Sequence, residues 1–236
     1  GRIVYVGPRS AAPGGDDVEL GDAGILPGLV NAQTHLELTV MRGFLEHLAF
    51  RPWIVTLTRA RQQTLSTHDL LGWGGIGIAE GLLAGITTYA DTCESGVVMR
   101  AMIEMGVRGI MYQEVFGPSP QQCEGAVTEL REKLRHQRGY ETPLVRAGVS
   151  PHAPYTVSDE LFVAVTALAR SERAPMAIHV AESEEESRFV LHGTGAFADA
   201  LRARGIPIEP RATSSIELLD RLGVLDAKPL LIHCVR

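Results

Sequence analysis

From Ile25 onward this chain alternates apolar runs of strand length with longer helical stretches, and that alternation constrains its fold more than any other feature. The strand-length runs are Leu29 to Ala32, Ile86 to Ala90, Gly109 to Val115, Val145 to Val149, Met176 to Val180 and Leu230 to His233. Helix signals lie between them. Ser66 with Asp69 three residues later reads as a capping box. Ser158-Asp159-Glu160-Leu161 opens a second helix running to about Ser171. Val127, Leu130 and Leu134 mark one face of a third, over Ala126 to Gln137. Strands alternating with helices imply a parallel sheet, either closed into a barrel or open.

Two features favour the barrel. Polar residues able to bind a metal recur at the C-terminal ends of the runs: His35, Asp91, Glu114, His152, His179 and His233. In (β/α) barrels the working groups gather at that rim, whereas an open sheet gathers them at one switch point. The second is the absence of a glycine fingerprint on the first strand-to-helix turn. Gly72-Trp-Gly-Gly-Ile-Gly77 has the dinucleotide spacing but follows a helix start, so it reads as a glycine-rich helix. The expected fold is α/β, a (β/α)8 TIM barrel incomplete in this chain, because six strands are visible where eight close a barrel. Residues 25–236 would form that partial barrel. Residues 1–24 differ in character. The short extended pieces Ile3 to Val6 and Val18 to Leu20, joined by a Pro- and Gly-rich loop, are expected to be part of a small β-sandwich.

Three strand-end histidines carry the chemistry. His35 follows the run Leu29-Val-Asn-Ala-Gln-Thr, His179 sits in Met176-Ala-Ile-His-Val-Ala-Glu182, and His233 ends Leu230-Leu-Ile-His. Singly, each reads as well as a packed or hydrogen-bonded residue. Three from separate strands suggest a metal site with an open position. A bound divalent metal lowers the pKa of its water to roughly 7, which gives a hydroxide nucleophile at neutral pH. Glu182, three residues after His179, is placed to take the proton; it also reads as one of several helix-start acids.

These segments, together with Pro27-Gly-Leu-Val-Asn-Ala-Gln-Thr-His-Leu36 and Gly148-Val-Ser-Pro-His-Ala-Pro-Tyr-Thr-Val-Ser158, resemble the amidohydrolase superfamily. The likeness is greatest to its chlorohydrolase and deaminase branch, with adenosyl-nucleoside and aminodeoxyfutalosine deaminases most similar. The resemblance implies His35, His179 and His233 as metal ligands, Glu182 as general acid/base, and His152 as a substrate-side histidine. Glu37 would be a weaker match to a substrate-orienting group. It implies one divalent metal, zinc first and iron as the alternative. The chain departs from the pattern at Gln33, which stands where the first histidine of the family's His-x-His motif belongs. A Gln carbonyl oxygen is a poorer zinc ligand than imidazole. The family's strand-eight aspartate has no counterpart before Arg236.

The reading is a metal-dependent hydrolase that deaminates an adenine-like nucleoside or related amino-heterocycle by attack of metal-bound hydroxide. A chlorohydrolase or cyclic amidohydrolase on a related ring is the alternative within the class, and a catalytically inactive barrel fragment the alternative outside it. Net charge is −6 with no basic stripe, which argues against nucleic acid. No apolar run reaches the ~20 residues of a membrane span. Cys93, Cys123 and Cys234 form no C-x-x-C pair, which suits a reducing, cytoplasmic setting. The expected partner is a small-molecule substrate. Unpaired edges of strands one and six would favour a homo-oligomer. His47, His68, His136 and His192 lack a strand-end context and are expected on the surface. The acidic run Glu182 to Glu186 is expected to be a solvated helix face unless a site claims it.

Overall fold

The computed structural model describes residues 3–236. Six parallel strands follow one another in chain order: β1 (Leu29–Thr34), β2 (Ile86–Cys93), β3 (Arg108–Val115), β4 (Val145–Pro151), β5 (Ala177–Val180) and β6 (Leu230–His233). The first four pair as one sheet and the last two as another. The two are joined where Val149 bridges Met176 and where the His179 N–H donates to the His152 carbonyl at 2.9 Å. Each strand lies within a residue or three of its expected bounds; β2 runs on to Cys93 and β4 to Pro151.

The crossovers are helical: α1 (Phe50–Thr64), α2 (Thr67–Leu83), α3 (Val98–Glu104), α4 (Cys123–Arg138), α5 (Asp159–Glu172), α6 (Glu184–His192), α7 (Ala196–Arg202) and α8 (Ser215–Arg221). The capping box at Ser66 and Asp69 forms as read, and the Ser158 hydroxyl caps α5. The glycine spacing of Gly72 to Gly77 falls inside α2. Within it Gly77 serves packing, since a side chain there would strike Thr39 and Leu36, and further along α2 one at Gly81 would strike the Tyr89 ring.

Strands β2 to β5 bury residues on both faces, whereas β1 is exposed at Leu29 and Val30. On the helix side Tyr89, Met111, Ala147 and Ile178 pack with helix residues such as Ile78, Met102, Leu134 and Phe162. On the opposite face Tyr112, Ala177 and Ile232 pack with Ala90, Ile110 and Leu230. Strand side chains alternate with period two, so Ile110, Tyr112 and Glu114 share this inner face, while Met111 and Gln113 face the helices. Each fully buried large apolar side chain contributes about 1.5–3 kcal/mol.

The two short strands expected near the N-terminus do not form. Among the described residues, Ile3 to Gly28 hold only a single 3-10 turn at Arg9–Ala11, and everything from Ile3 to Val30 is exposed. Neither Ile3 to Val6 nor Val18 to Leu20 is a strand. An isolated pair of short strands is marginal in water, and no third strand is present among the described residues to cover them. Gly1 and Arg2 lie outside the described residues. No helix of the described residues is long and apolar enough to cross a membrane.

Candidate metal and catalytic site

His35, just past β1, and His179, in β5, stand face to face. Their rings stack 5° from parallel with centroids 5.3 Å apart, and their Nε2 atoms approach to 3.3 Å. Each Nδ1 is claimed by a backbone carbonyl: Thr92 O lies 2.9 Å from His35 Nδ1, and His152 O lies 3.3 Å from His179 Nδ1. A carbonyl only accepts, so both protons sit on Nδ1 and both Nε2 atoms present lone pairs. Burial lowers both imidazole pKa values; at His35 the Thr92 carbonyl and Glu37 oppose it while His233 adds to it, and at His179 the three neighbouring histidines add to it. Two lone pairs facing each other at this distance repel unless a cation lies against both. Anchoring the far nitrogen is also how proteins aim a histidine at a metal.

A carboxylate oxygen of Glu114, at the end of β3, completes a triangle. Its ligand atom and those of His35 and His179 all lie within 4.8 Å of one another. Two imidazole nitrogens and a carboxylate oxygen are a donor set that suits a divalent cation. The sequence left Glu114 open between lining the pocket and a structural hydrogen bond. The period-two alternation of β3 decides it, because Glu114 shares the inner face with Tyr112. Asp91, left open in the same way, goes the other way: its Oδ2 accepts from the Leu36 N–H at 2.7 Å and fixes the turn after β1.

His233 does not join the triangle. Its ring centroid is 5.5 Å from that of His179, but β6 ends there in a left-handed backbone turn, φ 75° at His233 and 52° at Cys234. Its Nε2 faces Glu182 Oε1 at 3.4 Å. Glu182 also accepts from the Tyr155 hydroxyl through Oε2, at 3.3 Å. Burial pushes the Glu182 carboxyl up to about 7, Glu186 pushes the same way, and Tyr155 opposes them. His152 directly follows β4. Its Nδ1 lies 2.7 Å from the Thr156 hydroxyl, and its ring packs 4.9 Å from His179 and 4.8 Å from Phe116. Burial drops its pKa to about 3, so it is neutral in the physiological range.

Glu37 is 4% exposed and fully engaged. Arg61 Nη2 lies 3.0 Å from Oε1, and Oε2 accepts from Cys93 Sγ at 2.9 Å and from the Ser95 hydroxyl. A carboxylate so held has little left to offer a substrate. Gln33 is half-buried on β1, and its side chain makes no hydrogen bond among the described residues. His47, His68, His136 and His192 are all exposed, as expected.

Sequence reasoning missed Glu186. It belongs to the acidic run read as solvated, yet it is fully buried. Its carboxylate accepts from the N–H groups of Ala181 and Glu182 at 2.8 and 3.0 Å, holding the turn that presents Glu182. Tyr155 was also missed as a partner of Glu182. The only hint was its place in the His152 loop. Beside His35 opens an apolar cavity of about 320 Å³ lined by Leu38, Phe44, Trp53 and Leu57 among others.

The amidohydrolase family model matches residues 25–235. A 5-methylthioadenosine/S-adenosylhomocysteine deaminase of Desulfitobacterium hafniense is 27% identical over 99% of the chain and 51% of its own length. An aminodeoxyfutalosine deaminase of Deinococcus radiodurans is 31% identical over the whole chain and 60% of its own length. Among solved structures, an adenosine deaminase from Xanthomonas campestris with bound zinc superposes at a TM-score of 0.66, with 25% identity, over 84% of this chain and 42% of that one. The chain thus spans about half the length of the curated relatives it matches.

Proposed function

The chain belongs to the amidohydrolase family, and on that premise we propose that it serves in a metal-dependent hydrolase that deaminates an adenine-like nucleoside or a related amino-heterocycle. The observation that carries the reading is the pair of carbonyl-anchored imidazoles, His35 and His179, with their Nε2 atoms 3.3 Å apart, beside His233, whose Nε2 faces Glu182. Both relatives are named as deaminases, which supports the choice of reaction within the family.

His35 and His179 would hold one divalent cation, with His233 beside them. Zinc is the first choice for an imidazole-rich set and iron the second. When bound, such a cation supplies Lewis-acid activation of water at neutral pH. The remaining work falls to the chain's own side chains. Glu182, with its carboxyl at about 7, accepts a proton from the attacking water on Oε1 and returns it to the departing nitrogen. The Tyr155 hydroxyl steadies Oε2 so that Oε1 keeps its aim. His152, oriented by Thr156 through Nδ1, has Nε2 free to hydrogen-bond the substrate. Water adds at the amino-bearing ring carbon, the carbon–nitrogen bond breaks, ammonia leaves, and a ring carbonyl remains. The apolar cavity beside His35 would take the uncharged part of the substrate.

We assign the segment before β1 as a piece of a small flanking β-sandwich that would form strands only against further partners, a reading supported by the exposed apolar side chains Ile3, Val4, Val6 and Val18. The free thiols of Cys93, Cys123 and Cys234 support a reducing, cytoplasmic setting. The metal-loaded protein, assayed for ammonia release across aminopurine nucleosides and for chloride release from chlorotriazines, should release ammonia. Chloride release alone would overturn the deaminase assignment.

A further inference from the structure

Three observations converge on Glu114. The first is position: it lies on the inner face at the end of β3, and one of its carboxylate oxygens sits within 4.8 Å of the ligand nitrogens of both His35 and His179. The second is isolation: Glu114 is 9% exposed, and its Oε1 is buried without a hydrogen-bond partner among the described residues. The Arg61 charge acts on it, but Arg61 is paired with Glu37 and Glu94. An uncompensated buried carboxylate costs several kcal/mol, so a structure retains one where a cation or a proton answers it. The third is Gln33. The motif at the end of β1 offers one histidine, His35, where the family's pattern has two, and the residue in place of the other is a weak ligand.

We propose that Glu114 is a direct metal ligand in this protein, supplying from β3 the donor that Gln33 fails to supply from β1. The centre is then His35 Nε2, His179 Nε2 and a Glu114 carboxylate oxygen, a two-nitrogen, one-oxygen set with room for water and substrate. The carboxylate brings a negative charge that a second imidazole would not. The cation held here is therefore less electrophilic than one held by three histidines, and the site tolerates harder divalent ions such as Mn²⁺ better. This rests on the metal-dependent reading above, and the experiment separates the two.

The whole chain is stripped with a chelator and reloaded with Co²⁺, and metal per chain, affinity by competition with a chromophoric chelator, and the visible spectrum are recorded. Wild type should bind one Co²⁺. Glu114→Gln, which keeps shape and removes charge, should fold as wild type does and lose at least about 100-fold in affinity. That is more than the 10–100-fold usual when an outer-shell partner is removed. Gln33→His in the Glu114→Gln background should restore most of the loss. Glu114→Asp, which withdraws the oxygen by one methylene, should bind more weakly with a shifted spectrum, and it stands in if Glu114→Gln does not fold. Unchanged affinity and spectrum in the Glu114 variants, while His179→Ala abolishes binding, would overturn the role of Glu114 and leave the metal reading standing. Absence of Co²⁺ binding by wild type, or binding that survives His179→Ala, would overturn both.

Discussion

On the helix side of the strand ends, Glu37 has Arg61 at 3.0 Å, Cys93 at 2.9 Å and Ser95 also bonded to it. Gln113 beside it receives the Gln137 amide and donates to the Glu94 carbonyl at 2.8 Å. On the inner side, one strand alternation away, Glu114 has a buried oxygen with no partner, and two histidines direct bare lone pairs at each other. The same depth of burial is thus met in two ways. A buried polar group that is fully partnered within the chain works as structure. Groups left with convergent unused valences are held ready for something the chain does not contain. The Glu37 and Glu114 side chains differ in this respect, although both are acids at the rim and sequence alone ranked Glu37 above Glu114 for function.

The contrast predicts that inner-side changes alter chemistry while helix-side changes alter stability. The largest effect is expected at Glu182. Glu182→Gln should lower kcat by on the order of 10²–10⁴-fold, the usual contribution of a positioned acid/base, with metal content and thermal midpoint near wild type. Metal analysis beside single-turnover ammonia release checks this. A parallel loss of metal would mean that residue 182 serves the cation and not the proton.

Next in size is Arg61. Arg61→Ala leaves the Glu37 charge buried with only Cys93 and Ser95, and breaking a buried pair from one side costs about 3–5 kcal/mol. Urea unfolding should show that loss, with Co²⁺ affinity little changed in the fraction still folded. Arg61→Met combined with Glu37→Gln removes both charges and should recover most of it. If the Arg61 variant instead folds normally and loses substrate affinity, Glu37 belongs to the substrate after all and the division between the two sides fails.

How much of this could be read from the sequence follows from which physical signals are local. The six strands were legible because each is a short apolar run between helix signals. The caps at Ser66 and Ser158 were legible because a capping residue and its partner lie within three or four positions. His35, His179, Glu182 and His152 were named because they sit at strand ends in quotable segments. Glu114 could be placed at the rim but not given a role, since which buried acid lacks a partner depends on Arg61, which sequence does not show to be near. Glu186 was misread because a run of acids at a helix start looks solvated until the turn folds over one of them. The turn at His233 is a backbone conformation that no side-chain pattern announced.

The smallest expected effect concerns Asp91, the helix-side acid that is not fully satisfied. Its Oδ2 takes the Leu36 N–H at 2.7 Å, but its Oδ1 is buried and unpartnered. Burial raises its pKa well above the ordinary 3.8, and Glu37 and Glu114 add to the rise. Below the unfolded pKa both states hold the proton, and Asp91 imposes no penalty. As pH rises past that value the unfolded chain gives up the proton while the folded chain keeps it, so stability falls with rising pH. Asp91→Asn keeps an acceptor for Leu36 and has no proton to lose. It should match wild type near pH 4 and melt progressively higher than wild type toward neutrality. Asp91→Ala removes the acceptor and should cost about 1–3 kcal/mol at acid pH by stranding the Leu36 N–H. Thermal melts of the three proteins from pH 4 to 7 provide the check. A constant gap between Asn and wild type across that range would mean that residue 91 is ionised in the fold, and that a cation compensates acids on the helix side as well as on the inner one.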